Sequence, residues 1–411
     1  MQKTFLKILI VLISLSTGYT AFSQGGSNYS TIGLGDIFPS SSALYDGLGG
    51  TSIAILKDHG INTTNPALWS RVYKTRLQVG YRFNQYLTTV NDDNVAQNTG
   101  GLDGLSALFA IDSSLGISAS IGIYSYSSIR YMIASNFDFT DNEVNVKGQH
   151  IYQGAGGLST AYLGGSVNII DDLSFGAQAM TTFGMISSSV NTLIDGASTV
   201  ESLSQRKDHF RDFGWKAGLI YTGIDHLSLG AYMEQHANSD VTTDHHFLTL
   251  LAPDSTISDT NALTLPSSFG FGASYKLGKF LFGVDYAVHD FTDFLFRTND
   301  NVELRDMKRY SFSISRLGNR RLSASYLDKV CYNLGGGYRE LYYSYAGTPI
   351  NEYYMSLGFE LPVKDHAMID AAITIGSRGE NINGLPREMF GRLTIDISIG
   401  EVWFVPFKRD Y

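Results

Sequence analysis

A chain of 411 residues with 30 basic and 39 acidic side chains carries a net charge of −9, yet only 17% of it is charged, against roughly 25% in ordinary soluble domains. Apolar residues are an average 43% and mean hydropathy is −0.04, which argues against a bundle of membrane helices, and the acidic balance argues against nucleic acid as a partner. The lone Cys331 rules out an intramolecular disulfide framework and a thiolate zinc site, while abundant Gly (43), Tyr (25) and Phe (24) beside scarce Pro (8) suit strands and turns.

At the N-terminus, Lys3 and Lys7 precede an apolar run from Ile8 to Ile13, extended by Leu15, after which Ser16 to Gln24 is small and polar. This is the pattern of a secretory signal peptide with cleavage expected near Ser23 or Gln24, so residues 1–24 are assigned to it. No cysteine follows the run, which excludes a lipoprotein anchor, and no later stretch reaches 18 apolar residues. Residues 25–74 show no sustained strand pattern, but Ile32, Leu34, Ile37, Leu44, Leu48, Ile53, Ile55, Ile61, Leu68 and Trp69 need burial. A plug inside a barrel lumen provides it.

From residue 75 onward, apolar and small or polar residues alternate: Leu77, Val79, Tyr81 and Phe83; Ile117, Ala119, Ile121 and Ile123; Leu393, Ile395, Ile397 and Ile399. A soluble sandwich alternates too, so segment length and loop rhythm must decide. Strands are expected near 75–89, 102–111, 115–128, 154–170, 173–188, 210–223, 226–239, 265–277, 279–292, 307–317, 329–345, 350–361, 366–378 and 387–404. Many exceed the 5 or 6 residues of a typical strand, as membrane-spanning strands must. Connections are tight on one side (Asp112 to Ser114, Asp171-Asp172, Ile224-Asp225, Gly278, Pro362 to Asp365). On the other they are long (90–101, 129–153, 189–209, 240–264, 291–306, 379–386), the asymmetry of outer-membrane barrels. The stretch 318–328 is longer, and 346–349 shorter, than this scheme expects. Tyr342, Tyr343, Tyr345, Tyr353 and Tyr354, and Trp403, Phe404, Phe407 and Tyr411, read as interfacial girdles. The fold class is therefore all-β, a transmembrane antiparallel barrel of about 14 strands over residues 75–411 with an N-terminal plug in the lumen.

Parity places Arg82, Lys216, Lys276, Arg339, Glu234, Asp285, Glu360, Asp370 and Asp396 inside. Arg82 and Arg339, with Lys216, are candidates for holding the carboxylate of a fatty-acid-like ligand, Arg best because its planar fork matches a carboxylate. The competing reading is that opposite charges in the lumen pair with one another or with the plug. Asp244-His245-His246 and the clusters Asn91-Asp92-Asp93-Asn94 and Asn299-Asp300-Asn301 read as solvated loop rather than metal sites. No Gly-x-Ser-x-Gly elbow or His-Glu-x-x-His helix is present, so neither catalysis nor a cofactor is expected.

The stretches Gly33-Leu34-Gly35, Gly49-Gly50-Thr51-Ser52-Ile53-Ala54 and Asn65-Pro66-Ala67, followed by Leu265-Pro266-Ser267-Ser268-Phe269-Gly270 and Gly283-Val284-Asp285-Tyr286, resemble the FadL/TodX-type outer-membrane transporters of long-chain fatty acids and hydrocarbons. They are most similar to a Bacteroidetes-type branch of that family. The resemblance implies a fourteen-stranded barrel in the cell outer membrane, a hatch that includes Asn65, Pro66 and Ala67, and inward carriage of hydrophobic small molecules by ligand binding and hatch movement. The same architecture also serves as a protein-interaction barrel, such as a type IX secretion shuttle, or as an outer-membrane assembly scaffold, with a secreted protein as partner.

Overall fold

The computed structural model describes residues 23–403, other than 39–40, 91–92, 142–143, 195–199, 250–251, 293, 295, 298–300, 322, 365–366 and 382–384. Fourteen strands form an antiparallel barrel: β1 (Thr75–Val90), β2 (Asp93–Asp112), β3 (Ile117–Asp141), β4 (Val144–Ile170), β5 (Leu173–Ile194), β6 (Val200–Ile224), β7 (Leu227–His236), β8 (Ser267–Leu277), β9 (Phe280–Asp290), β10 (Met307–Arg316), β11 (Cys331–Tyr345), β12 (Thr348–Lys364), β13 (Ala367–Arg378) and β14 (Arg387–Glu401). Pairing of β14 with β1, from Arg387↔Thr89 to Glu401↔Thr75, closes the ring. Alternation sets the two faces: Leu77, Val79 and Tyr81 are 48%, 40% and 52% exposed, whereas Gln78 and Arg82 on the other face are 6% and 3% exposed. Apolar side chains thus make the outer belt, and polar ones line the lumen.

The expected long loops at 129–153 and 189–209 are a correction, because their described residues, 129–141, 144–153, 189–194 and 200–209, are strand. β3 and β4 run for 25 and 27 residues and β5 and β6 for 22 and 25, where about 9–11 cross a bilayer. Residues 93–101, expected as loop, are the start of β2, and 240–264 forms an added hairpin, Ser239–Thr249 with Ala252–Leu263, continuing the sheet from β6. Beyond the belt both faces of a strand meet water. The apolar/polar contrast that reveals a strand disappears while the backbone ladder continues. Of 291–306, Val302–Leu304 pairs with β11, and the stretch after β10 holds a short helix, Tyr326–Lys329, capped by Ser325.

The expected girdle around the β11–β12 turn also needs correction. Tyr353 is outward and 62% exposed, but Tyr342, Tyr343 and Tyr354 are buried inside. A register shift between Glu340 and Ser344 in the β11–β12 ladder re-aims Tyr342 and Tyr343, while Tyr354 faces inward by alternation with Tyr353. The Tyr342 hydroxyl donates to the carbonyls of Ile32 and Gly35, 2.8 Å each, and that of Tyr354 donates to Gly49, 3.0 Å.

Residues 25–72 lie within the barrel and are almost continuously buried. They form a 3₁₀ turn (Asn28–Thr31), a short helix (Ala43–Gly47) and a 3₁₀ helix (Pro66–Arg71), joined by extended chain. This inner segment packs backbone to backbone on wall glycines. A Cβ on Gly335 would run into the backbone of Leu48 and Gly49, and Gly49 itself has φ +63°. The Gly335→Val variant is expected to lower unfolding stability by about 1–3 kcal/mol through overpacking. Gly391→Val, whose added Cβ would meet nothing within 4 Å, should stay within about 0.5 kcal/mol of the parent. Urea unfolding of the detergent-solubilised barrel measures both.

Candidate functional site

The chemistry concentrates along the seam between inner segment and wall. Three wall carboxylates hold the segment. Asp285 on β9 accepts the backbone N–H groups of Ser52 and Ile53 at 2.6 and 3.0 Å. Asp396 on β14 accepts from the Ala43 N–H, the Ser42 hydroxyl and the Gln78 amide at 2.7, 2.7 and 2.9 Å, so the first turn of the Ala43–Gly47 helix is capped from the wall. Glu360 on β12 pairs with Lys57 at 2.6 Å and accepts from Asn333 at 2.8 Å.

Asn65 sits at the start of the 3₁₀ helix, where Pro66 occupies a position that needs no N–H donor. Its side-chain oxygen accepts from the Ala67 N–H at 3.1 Å, while its amide donates to Ile53 at 2.8 Å and to the Leu219 carbonyl of β6 at 3.0 Å. One buried side chain therefore ties three pieces of backbone together. Trp69, fully buried behind it, donates from Nε1 to the Asn62 carbonyl at 2.6 Å and stacks on Tyr162. Ala67 packs with Ala54, Leu68 and Ile220.

The three candidate cations all point inward, and all are engaged. Arg82 bridges Asp46 of the inner segment and Asp103 of β2, 3.0 Å to each, with its guanidinium 4.4 Å from the centre of the Phe38 ring. Lys216 pairs with Glu234 at 3.1 Å and donates to the Thr63 carbonyl at 3.0 Å. Arg339 makes a forked pair with Glu352, 2.7 and 2.9 Å, and donates to the Ile37 carbonyl at 2.9 Å. Lys216 and Arg339 border one small cavity of about 60 Å³ with Glu234, His289 and Arg309, and Arg82 lies apart from them, beside the β2–β3 seam. Lys276, grouped with them by parity, is exposed at the end of β8. His245 and His246 lie on the added hairpin strand, not in a loop. Of the two acidic clusters, Asn91-Asp92 and Asn299-Asp300 fall outside the described residues.

Sequence reasoning passed over Arg378, whose guanidinium is 2.6 Å from both Asp36 and Glu388. It is the last residue of the expected strand 366–378 and of the observed β13. It also passed over His59, buried among Asp58, Asp370 and Glu360 at 3.2 to 3.3 Å. The signal for His59 was available: an Asp-His pair inside an otherwise apolar stretch needs partners when buried.

A protein-family model, BamG, matches residues 1–410. No curated protein matches the chain. Among solved structures, a Pseudomonas aeruginosa FadL homologue aligns with TM-score 0.61 at 12% identity, over 88% of this chain and 99% of its own. The Pseudomonas putida toluene transporter TodX aligns with TM-score 0.56 at 13% identity, over 94% and 100%. The Ralstonia pickettii toluene transporter TbuX gives TM-score 0.56 at 14%, over 87% and 98%. At these identities the likeness is one of fold.

Burial, the largest influence on His59, favours the neutral ring, but the carboxylates of Asp370, Asp58 and Glu360 outweigh it and raise the group to about 9. A raised histidine contributes stability that is full below its unfolded value of about 6.5 and is lost as pH climbs through the folded value. Thermal unfolding of the wild-type barrel should therefore drop between about pH 6.5 and 9, with a flatter profile in His59→Gln.

Proposed function

The chain belongs to the BamG family, and on that premise we propose that it is an outer-membrane barrel whose lumen is plugged by residues 25–74 and whose work is to hold a protein partner, as an assembly or secretion scaffold. The observation that carries this reading is the seam. Every cation singled out as a ligand holder is spent on a carboxylate and on the plug, and the cavity between Lys216 and Arg339 is about 60 Å³, where ligand pockets run to roughly 300–1,000 Å³. A hatch that moves must break several buried pairs, and removing one partner from such a pair costs about 3–5 kcal/mol. Asn65, Pro66 and Ala67 then act as a fixed anchor of the plug.

The surface that would meet a partner is the tall sheet built from β3 to β6 and the added hairpin. It rises past the belt and exposes Phe139, Phe247, Leu248 and Ile257, 39–60% each, an apolar content that a solvated loop does not require.

Uptake of hydrophobic small molecules is the second reading. It is favoured by the fold shared with the toluene transporters and by an interruption of the wall between β2 and β3 described below. In that reading Arg82, beside the interruption, is the cation to meet a carboxylate. Membership of a Bacteroidetes-type branch belongs with either reading.

Native mass spectrometry of the protein extracted from its own membrane separates the two. A stoichiometric protein partner with no retained lipid is expected, together with a silent trace in planar-bilayer conductance. Bound fatty acid or hydrocarbon without any protein partner would overturn the scaffold and leave transport.

A further inference from the structure

The barrel wall is incomplete between β2 and β3. Their ladder runs from Asp112↔Ile117 to Gly104↔Tyr124 and stops there. Above that point, among the described wall strands, β2 pairs with β1 alone and β3 with β4 alone, over residues 125–141 of β3. Each strand carries an extra residue at the base of the opening. Asp103 is skipped in the β1–β2 register and Tyr126 in the β3–β4 register, and such bulges bend a strand and end its pairing.

The opening is occupied by the chain's own N-terminal stretch. Ser23–Gln24 pairs in parallel with Gln97–Asn98 of β2, and Asp36–Ile37 pairs antiparallel with Ser128–Ser127 of β3. Between them the Ser30 hydroxyl sits 3.0 Å from the Arg130 carbonyl and 3.2 Å from the Arg130 N–H, and the Phe38 N–H donates to Tyr126 at 3.1 Å. The approach is close enough that a Cβ on Gly26 or Gly35 would strike the backbone of Arg130 or Ser128. A cavity of about 260 Å³, bordered by Phe38, Arg82, Leu102 and Leu158, remains beside this strap. Just below, the outward face of the same wall carries a shallow apolar hollow of about 700 Å³ lined by Leu105, Ala107, Ile121, Ala161 and Leu163.

We infer that residues 25–38 are a displaceable strap, and that the β2 and β3 edges beneath it accept an extended strand of a protein partner by main-chain pairing. The edges present rows of backbone donors and acceptors, which an extended peptide satisfies and a hydrocarbon does not. The strap itself demonstrates that main chain is what fits there, Asp36–Ile37 pairing antiparallel with Ser127–Ser128 of β3. The hollow suits an apolar side-chain row continuing down the wall from the same strand. This inference deepens the scaffold reading and rests on it.

The test uses the full chain with Gly26→Val and Gly35→Val together, which crowd the strap off the β3 edge. Chymotrypsin cleavage after Tyr29, buried in the parent, reports strap release, and Phe38→Pro, which removes the N–H that donates to the Tyr126 carbonyl of β3, is the second route to the same state. The probe is a fluorescent peptide with the sequence of residues 25–38, read by anisotropy. The released variants are expected to bind it at least tenfold more tightly than the parent, and to ignore the same peptide carrying Phe38→Pro, which lacks the edge-pairing N–H. A released strap without peptide binding, equal binding of the proline peptide, or a strap that stays protected in both variants would overturn the inference. A protein partner retained equally by parent and released variants would overturn it too, while leaving the scaffold standing. Peptide binding in a barrel that co-purifies with no protein would instead remove the scaffold.

Discussion

An apolar outer belt leaves the polar groups of this chain one place to go, and the rest of the structure follows from that constraint. In hydrocarbon no unsatisfied backbone group is tolerated, so the strands close on themselves. Their inward side chains then carry the charge that the belt cannot. Asp285, Glu360, Asp370 and Asp396 all reach the lumen within a few percent of full burial. A buried carboxylate without partners is strongly unfavourable, so the lumen requires donors from elsewhere. The inner segment supplies them as backbone N–H groups, Lys57 and His59. Inner segment and wall are thereby parts of one polar network, and neither side is satisfied without the other.

That network also bears on how the barrel can work. A fold shared with hydrocarbon channels does not dictate a path through the lumen, because function lies in the site and not in the architecture. Here Arg82, Lys216 and Arg339 each bind a carboxylate and also reach into the inner segment, to Asp46, Thr63 and Ile37. A ligand carboxylate would have to displace an internal one at a buried, hydrogen-bonded site. Geometry of this kind favours a rigid body that offers surfaces over one that opens.

Much of the fold was legible in the sequence, for a physical reason. Within the belt every second residue must be apolar, so Leu77, Val79 and Tyr81 or Leu393, Ile395 and Ile397 announce strands directly, and the ring of fourteen follows from them. Outside the belt the rule lapses. Residues 129–141 and 144–153 pair as regularly as any others but no longer alternate, and they read as loop. The inward direction of Arg82, Lys216 and Arg339 was legible from parity. Their partners were not, since Arg339 pairs with a neighbour in space 13 positions away and Arg82 with residues 36 and 21 positions away. Tyr342 and Tyr343 were misread for another reason. Consecutive tyrosines near a turn look like a girdle, and only the register shift at Glu340 turns Tyr342 onto Ile32 and Gly35 and Tyr343 onto Tyr29.

The interruption between β2 and β3 follows from the same constraint applied to the edges. A closed barrel has no free edges, and this one creates two by placing an extra residue in each strand at the same height. Both extra residues are buried and point inward, Asp103 to Arg82 and Tyr126 into the aromatic cluster beneath the projecting sheet. The bulges therefore tie the opening of the wall to the filling of the lumen. Residues 25–38 then satisfy part of what the bulges left unpaired, and are held at their far end by Phe38 between Arg82 and Arg392. Strand closure elsewhere in the ring is continuous through ladders of eight or more pairs, whereas the strap contributes a single short ladder of two residues, Asp36–Ile37. If any part of the wall exchanges with a partner strand at modest cost, the number of main-chain bonds at stake selects this one.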